Sequence, residues 1–144
     1  MNEADFTSRI HSKIRADRVK VWKIKDDFQG GVPDAMYLSK YNPNGLVQPA
    51  VFIEYKYLKT LPKREKTNII PALSELQKEW LRIALIGKSK AFVIVGYPDK
   101  SGSKGVVFYT PEEWEAGITL AEFKSRTMSY VNLADFIVSQ VIGI

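Results

Sequence analysis

The run Val51-Phe52-Ile53-Glu54-Tyr55-Lys56 constrains this chain more than any other segment. It opens on three apolar residues, two of them β-branched, which suits a strand buried in a sheet. Side chains at i and i+2 of a strand share a face, so Glu54 and Lys56 stand side by side and Tyr55 points the opposite way. A carboxylate and an ammonium at the end of such a strand are costly unless paired, hydrated or metal-bound. A second acid, Asp34, follows a Gly-Gly-Val-Pro turn. Two carboxylates and a lysine form a set able to hold a hard cation and to put positive charge beside a phosphate.

The rest of the chain supplies a frame for that strand. Phe6, Ile10 and Ile14 make an apolar stripe at helical spacing, so a helix is expected from about Asn2 to Asp17, with Glu3 extending the stripe at its start. Val19 to Ile24 and Ala35 to Ser39 read as strands, joined by a loop from Lys25 to Pro33 that holds Asp26 and Asp27. These two acids either hydrate a second metal or keep the loop soluble. Tyr41-Asn42-Pro43-Asn44-Gly45 is a turn. Val51 to Leu58 is the third and most central strand. Pro71 to Ile86 reads as an amphipathic helix whose inner stripe is Leu73, Leu76, Trp80 and Ile83, with Gly87 as its C-cap. Ala91 to Val95 is a short buried strand, Pro98 to Gly105 a polar loop, and Val106 to Tyr109 a fifth strand. Thr110-Pro111-Glu112-Glu113 has the cap, N1 proline and first-turn acids of a short helix. Thr119 with Glu122 repeats the capping-box spacing, and a last helix is expected from Leu133 to about Ile142 with Asn132 as its cap. Trp22, Trp80 and Trp114 read as core, and His11 as a surface or boundary residue. The order α-β-β-β-α-β-β followed by helices indicates an α/β fold with a mixed central sheet flanked by helices. A single domain over 1–144 is expected, with a core over about 2–110 and a helical segment over about 111–144.

Composition narrows the function classes. With no cysteine, zinc–thiolate and thiol-nucleophile chemistry are excluded, and one histidine excludes a multi-histidine metal site. A net charge of +5 favours a polyanionic partner. No apolar run approaches membrane-spanning length and the N-terminus lacks a signal pattern, so no membrane is expected as partner and an intracellular location is.

The succession of Glu3 on the first helix, Gly-Gly-Val-Pro-Asp34, Glu54-Tyr55-Lys56 and Leu76-Gln77-Lys78-Glu79-Trp80-Leu81 resembles the PD-(D/E)XK nuclease superfamily. In particular it is similar to the virus-type replication-repair nucleases (VRR-Nuc), whose small phage members stand alone. The resemblance covers about residues 2–97. A departure is the long gap between Asp34 and Glu54, with its Pro/Asn/Gly insertion. The resemblance implies a restriction-endonuclease-like fold and Mg²⁺-dependent phosphodiester hydrolysis on branched, flapped or Holliday-junction DNA, with Mn²⁺ able to substitute. It implies a location in the cytoplasm of a bacterial or phage-infected host cell.

In that frame Asp34, Glu54 and the Tyr55 backbone carbonyl would be the metal ligands, Lys56 would orient the attacking water or stabilise transition-state charge, and Glu3 would be an additional acid. Gln77 would line the site, or would satisfy the helix start with Ser74 as a capping box. Lys59, Lys63, Arg64 and Lys66 would meet DNA phosphates. Symmetric cutting of two strands needs two sites, so a homodimer is expected. The alternatives are a sequence-specific homing-type endonuclease, a DNA-binding module without catalysis, and an RNA or nucleotide phosphohydrolase.

Overall fold

A computed structural model of the protein describes residues 1–25 and 30–144. Asp26 and Asp27 lie outside them. The first helix, α1 (Glu3–His11), starts at a reciprocal capping box in which the Asn2 side chain accepts from the Asp5 N–H and the Asp5 side chain accepts from the Asn2 N–H. It buries Phe6 and Ile10 and ends well short of the expected Asp17. The Ser12 hydroxyl donates to the Arg9 carbonyl there, and the following backbone bonds, Lys13 to Ile10 and Ile14 to His11, close tight turns. Ile14 still reaches the core boundary.

Strands β1 (Val19–Lys23), β2 (Ala35–Ser39), β3 (Val51–Tyr57), β5 (Lys90–Asp99) and β6 (Gly102–Phe108) form one sheet in the order β1-β2-β3-β5-β6. The β1–β2–β3 meander is antiparallel, β3 and β5 run parallel, and β5–β6 is an antiparallel hairpin. The sheet is mixed, as expected, and β3 is its middle strand. Helix α2 (Glu75–Ile86) makes the crossover between the two parallel strands. The residues expected as a polar loop, 98–105, instead extend the hairpin, with Pro98 opposite Ser103 and Asp99 opposite Gly102. A two-stranded ribbon, β4 (Asn68–Ile69) with β7 (Ile118–Thr119), ties the long connection after β3 to the short helices α3 (Pro111–Ala116) and α4 (Leu120–Ser125).

Each face of the sheet carries its own core. On one face α1 and the last helix, α5 (Tyr130–Ile142), bring Phe6, Ile10, Leu133, Ile137 and Val141 against Ile53, Tyr55 and Ile94. Ser129 rather than Asn132 caps α5: its hydroxyl accepts from the Asn132 N–H, a cap being a residue whose acceptor lies three positions before the donor. On the other face α2, α3 and α4 bring Leu81, Trp114, Leu120 and Phe123 against Val93, Val95 and Phe108. Among the described residues this core does not include side chains of β1 or β2. Trp22, opposite Met36 on β2, is 57% exposed, so it is not the core residue expected. The inner stripe expected on α2 is also corrected. Leu81 is the buried residue, while Leu76 and Ile83 are 49% and 52% exposed. The helix does not turn its Leu76–Trp80–Ile83 edge into the core.

Candidate active site

The β2–β3 ladder sets the site. Ala35 pairs with Ile53, and Asp34 sits just before the first β2 residue. Where the ladder ends, the Asp34 carboxylate takes its place: Oδ2 accepts the Tyr55 N–H at 2.8 Å. In an extended strand the N–H and C=O of one residue face the same side, so the Tyr55 carbonyl is also turned toward Asp34. The approach to Asp34 depends on close backbone packing. Gly31 has φ +77°, and a Cβ there would stand 2.5 Å from the Leu76 Cβ and 2.7 Å from the Leu76 carbonyl carbon. Only glycine brings this segment against the first turn of α2 in that conformation.

Glu54 is 2% exposed, on the face covered by α2. Gln77 Nε2 donates to its Oε1 at 2.9 Å, and Lys56 Nζ lies 3.8 Å from the same oxygen. Gln77 does two jobs. Its Oε1 accepts the Ser74 N–H, and the Ser74 hydroxyl accepts the Gln77 N–H, so the capping box holds the side chain whose amide reaches Glu54. Glu54 Oε2 is buried and has no hydrogen-bond partner among the described residues. As a carboxylate oxygen it lacks a donor; once protonated, the Glu54 carboxyl would have Asp34 as an acceptor. Burial pushes the Glu54 carboxyl up to about 9, the Asp34 charge adds to this, and Lys56 pulls the other way. Asp34 is raised by burial and drawn back by the Tyr55 N–H, the Glu54 bond and Lys56. Glu3, half-buried on α1, is raised by burial and then by Asp34, and lowered by Lys56. Glu3, Asp34, Glu54 and Lys56 therefore share one electrostatic environment.

The donor set suits a hard cation. Among the described residues no three His, Cys, Asp or Glu side chains close on one point. What is present is two carboxylates, one with an orphaned buried oxygen, and a backbone carbonyl directed to the same side. Magnesium takes one or two carboxylates and keeps several waters, so this set fits it, and a divalent charge would offset the burial and the Asp34 repulsion that favour a proton on Glu54.

Of the four basic residues expected to meet DNA, Lys59, Lys63, Arg64 and Lys66, all are exposed, on the segment leaving β3. Lys59 borders a cavity of about 390 Å³ with Tyr57 and Ser103, whose hydroxyls are 2.9 Å apart. Two neighbours of the site are not apparent in the sequence. Lys23 shares a cavity of about 210 Å³ with Glu3, Thr7 and Asp34; alternation along β1 and its pairing with Ala35 were the available signal. Behind β3, His11 Nε2 lies 2.7 Å from the Tyr37 hydroxyl, which lies 2.5 Å from the Tyr55 hydroxyl. His11 is thus a boundary residue with a partner. Burial, with Lys23 adding to it, lowers its imidazole to about 4. No local pattern announces this chain of groups, which come from three separate elements.

No family model and no curated protein sequence matches the chain. Among solved structures it is similar to a Holliday junction resolvase from an archaeal hyperthermophile, Archaeoglobus fulgidus, with 18% identity over 85% of this chain and 95% of that one and a TM-score of 0.41.

Proposed function

We propose that the protein is a Mg²⁺-dependent endodeoxyribonuclease that hydrolyses phosphodiester bonds, with Mn²⁺ able to substitute. The observation that carries the reading is Glu54: a buried carboxylate with one oxygen unpartnered, facing a second acid, with a lysine 3.8 Å from its other oxygen. A buried acid held this far from its ordinary protonation is destabilising unless a ligand uses it. Asp34, Glu54 and the Tyr55 carbonyl would hold the cation. When bound, Mg²⁺ polarises a phosphate oxygen and lowers the pKa of a water. The remaining work falls to the chain. The Tyr55 N–H fixes the Asp34 rotamer, and Gln77 fixes that of Glu54. Lys56 places an ammonium where negative charge develops on the phosphate or where the attacking water is held. Glu3, beside Asp34, adds negative potential that favours a divalent ion over Na⁺ or K⁺. Lys59, Lys63, Arg64 and Lys66 supply phosphate contacts that are indifferent to sequence. Selectivity for branched or Holliday-junction DNA is supported by the sequence resemblance to stand-alone VRR-Nuc proteins.

The test is a cleavage panel of linear, flapped and four-way-junction DNA with Mg²⁺, with Mn²⁺ and with EDTA, on wild type and Asp34→Asn. Nicking that requires the metal and falls at least about a hundredfold in the variant, with DNA binding kept, is the expected outcome. Wild-type protein that binds DNA but cuts none of these substrates with either metal would sink the reading in favour of a binding module. Cutting of a single long duplex at one sequence would replace structure selectivity by sequence selectivity.

A further inference from the structure

Beside the acids lies an apolar slot of about 210 Å³, walled by Pro33, Phe52, Trp80, Ile83, Ala84 and Ser89. Polar atoms contribute little to its lining. Three relations tie it to the site. Pro33 immediately precedes Asp34. Phe52 lies two residues before Glu54 on the same face of β3, about 7 Å away along the strand. Trp80 lies one helical turn after Gln77, whose amide holds Glu54. The slot therefore opens about one nucleotide step from the carboxylates, and two of its walls, Phe52 and Trp80, are aromatic residues that are partly exposed.

We propose that this slot receives an unstacked nucleobase of the DNA strand whose phosphate occupies the acidic site, with Trp80 and Phe52 as stacking surfaces. The inference rests on the proposed nuclease reading and deepens it by naming what the site selects. The occupant is a base and not a peptide side chain, because three of the slot's walls, Pro33, Phe52 and Trp80, adjoin Asp34, Glu54 and Gln77 of the site proposed for phosphate chemistry. A base joined to that phosphate spans the separation, and the π-faces accept any of the four bases. A base in a continuous duplex must be unpaired and unstacked before it can enter, whereas at a branch point or beside a mismatch much of that cost has already been met. A stacking slot next to the reacting phosphate thus converts DNA shape into a rate difference without reading sequence. Phe52 continues across the sheet to Met36 and then to exposed Trp22 on the same face, so a shelf of apolar side chains leads away from the slot.

The experiment uses the full chain in the Asp34→Asn background with EDTA, so that no strand is cut. It uses junction and perfectly paired duplexes carrying 2-aminopurine at the branch-point nucleotide or at the matching paired position. Stacking on an indole quenches this base. The expected result is quenching on binding the junction, loss of it in Trp80→Ala, and little change with the paired duplex. In the Asp34-intact enzyme, Trp80→Ala is expected to reduce the preference for junction over duplex about tenfold to a hundredfold, while Trp80→Phe keeps it. Far-ultraviolet circular dichroism checks that both variants fold. Quenching insensitive to Trp80→Ala overturns the proposal. So does light scattering in which Trp80→Ala turns a dimer into a monomer while quenching persists, since the face then belongs to a second copy of the chain. Because quenching is read without metal or cleavage, an inert wild type would end the nuclease reading and still leave the slot tested.

Discussion

Replacing Glu54 by Gln should stabilise the metal-free protein at neutral and alkaline pH, an unusual outcome for a change at a buried charged position. The sign follows from linkage. The folded-state carboxyl is pushed up to about 9 from an ordinary value of 4.5. Its contribution to stability is therefore complete below about pH 4.5 and is lost as the pH climbs toward 9. Each unit in that window removes about 1.36 kcal/mol, so between pH 5 and pH 8 the wild type should lose about 4 kcal/mol through this group. Asp34 and Glu3 are raised as well and add slope of the same sign. Glutamine keeps the shape, its carbonyl accepts the Gln77 amide, and its own amide gives Asp34 the donor that the carboxylate lacks. Urea unfolding in EDTA at pH 5, 6.5 and 8 measures the effect. Expected is a wild type whose midpoint falls steeply with pH and a Glu54→Gln protein whose midpoint falls much less, the curves diverging by a few kcal/mol at pH 8. Added Mg²⁺ should lift the wild type at pH 8 and leave the variant nearly unmoved. A wild-type midpoint flat from pH 5 to 8, or a variant weaker than wild type at pH 8, would refute the argument that burial and Asp34 hold a proton on Glu54.

Gly31→Ala should lower stability by about 2–4 kcal/mol in thermal or urea unfolding, because the new methyl meets Leu76 at 2.5 Å in a left-handed backbone; a loss under about 1 kcal/mol would mean that the segment is not pressed on α2. Lys56→Ala should slow cleavage about a hundredfold with DNA affinity nearly kept, and remove one opponent of the Glu54 proton, so that in EDTA the loss of stability through Glu54 continues to higher pH than in the wild type. His11 is lowered to about 4, so its contribution is present above about pH 6.5 and lost as the pH falls toward 4. His11→Gln should flatten that acid limb in a pH-resolved melting series, and an unchanged limb would mean that the imidazole is not held neutral against Tyr37.

Where one local rule dominates, structure follows from the residues alone. Ala35–Ser39 forms as read because alternation fixes both its faces, and Ser74 with Gln77 forms the capping box that its spacing announces. Side chains at 34, 54 and 56 do come together, since the pleat sets Glu54 beside Lys56 and the Ala35–Ile53 register delivers Asp34 to the same strand end. The misreadings share one cause: periodicity tells which residues are apolar but not what covers them. Leu76, Trp80 and Ile83 make an apolar stripe at helical spacing, yet Leu76 and Ile83 are half-exposed, and Trp80 and Ile83 wall a slot with Pro33 and Phe52 rather than joining the core. Pro98 and Gly102 carry loop chemistry, yet the hairpin runs through them because they pair beyond the part of the sheet shared with β3. The His11–Tyr37–Tyr55 chain unites a helix and two strands that only tertiary folding brings together.

Asp34 both clasps the sheet and faces the acidic pocket, since the oxygen that receives the Tyr55 amide belongs to the group that would bind the cation. The proposed cation ligand and the strand alignment are thus fastened by the same bolt. Slipping β2 against β3 by a single residue would turn that side chain to the wrong side of the pleat and disarm the pocket outright. On the proposed function, a partly assembled form of the chain would consequently leave DNA uncut until its central strands have locked.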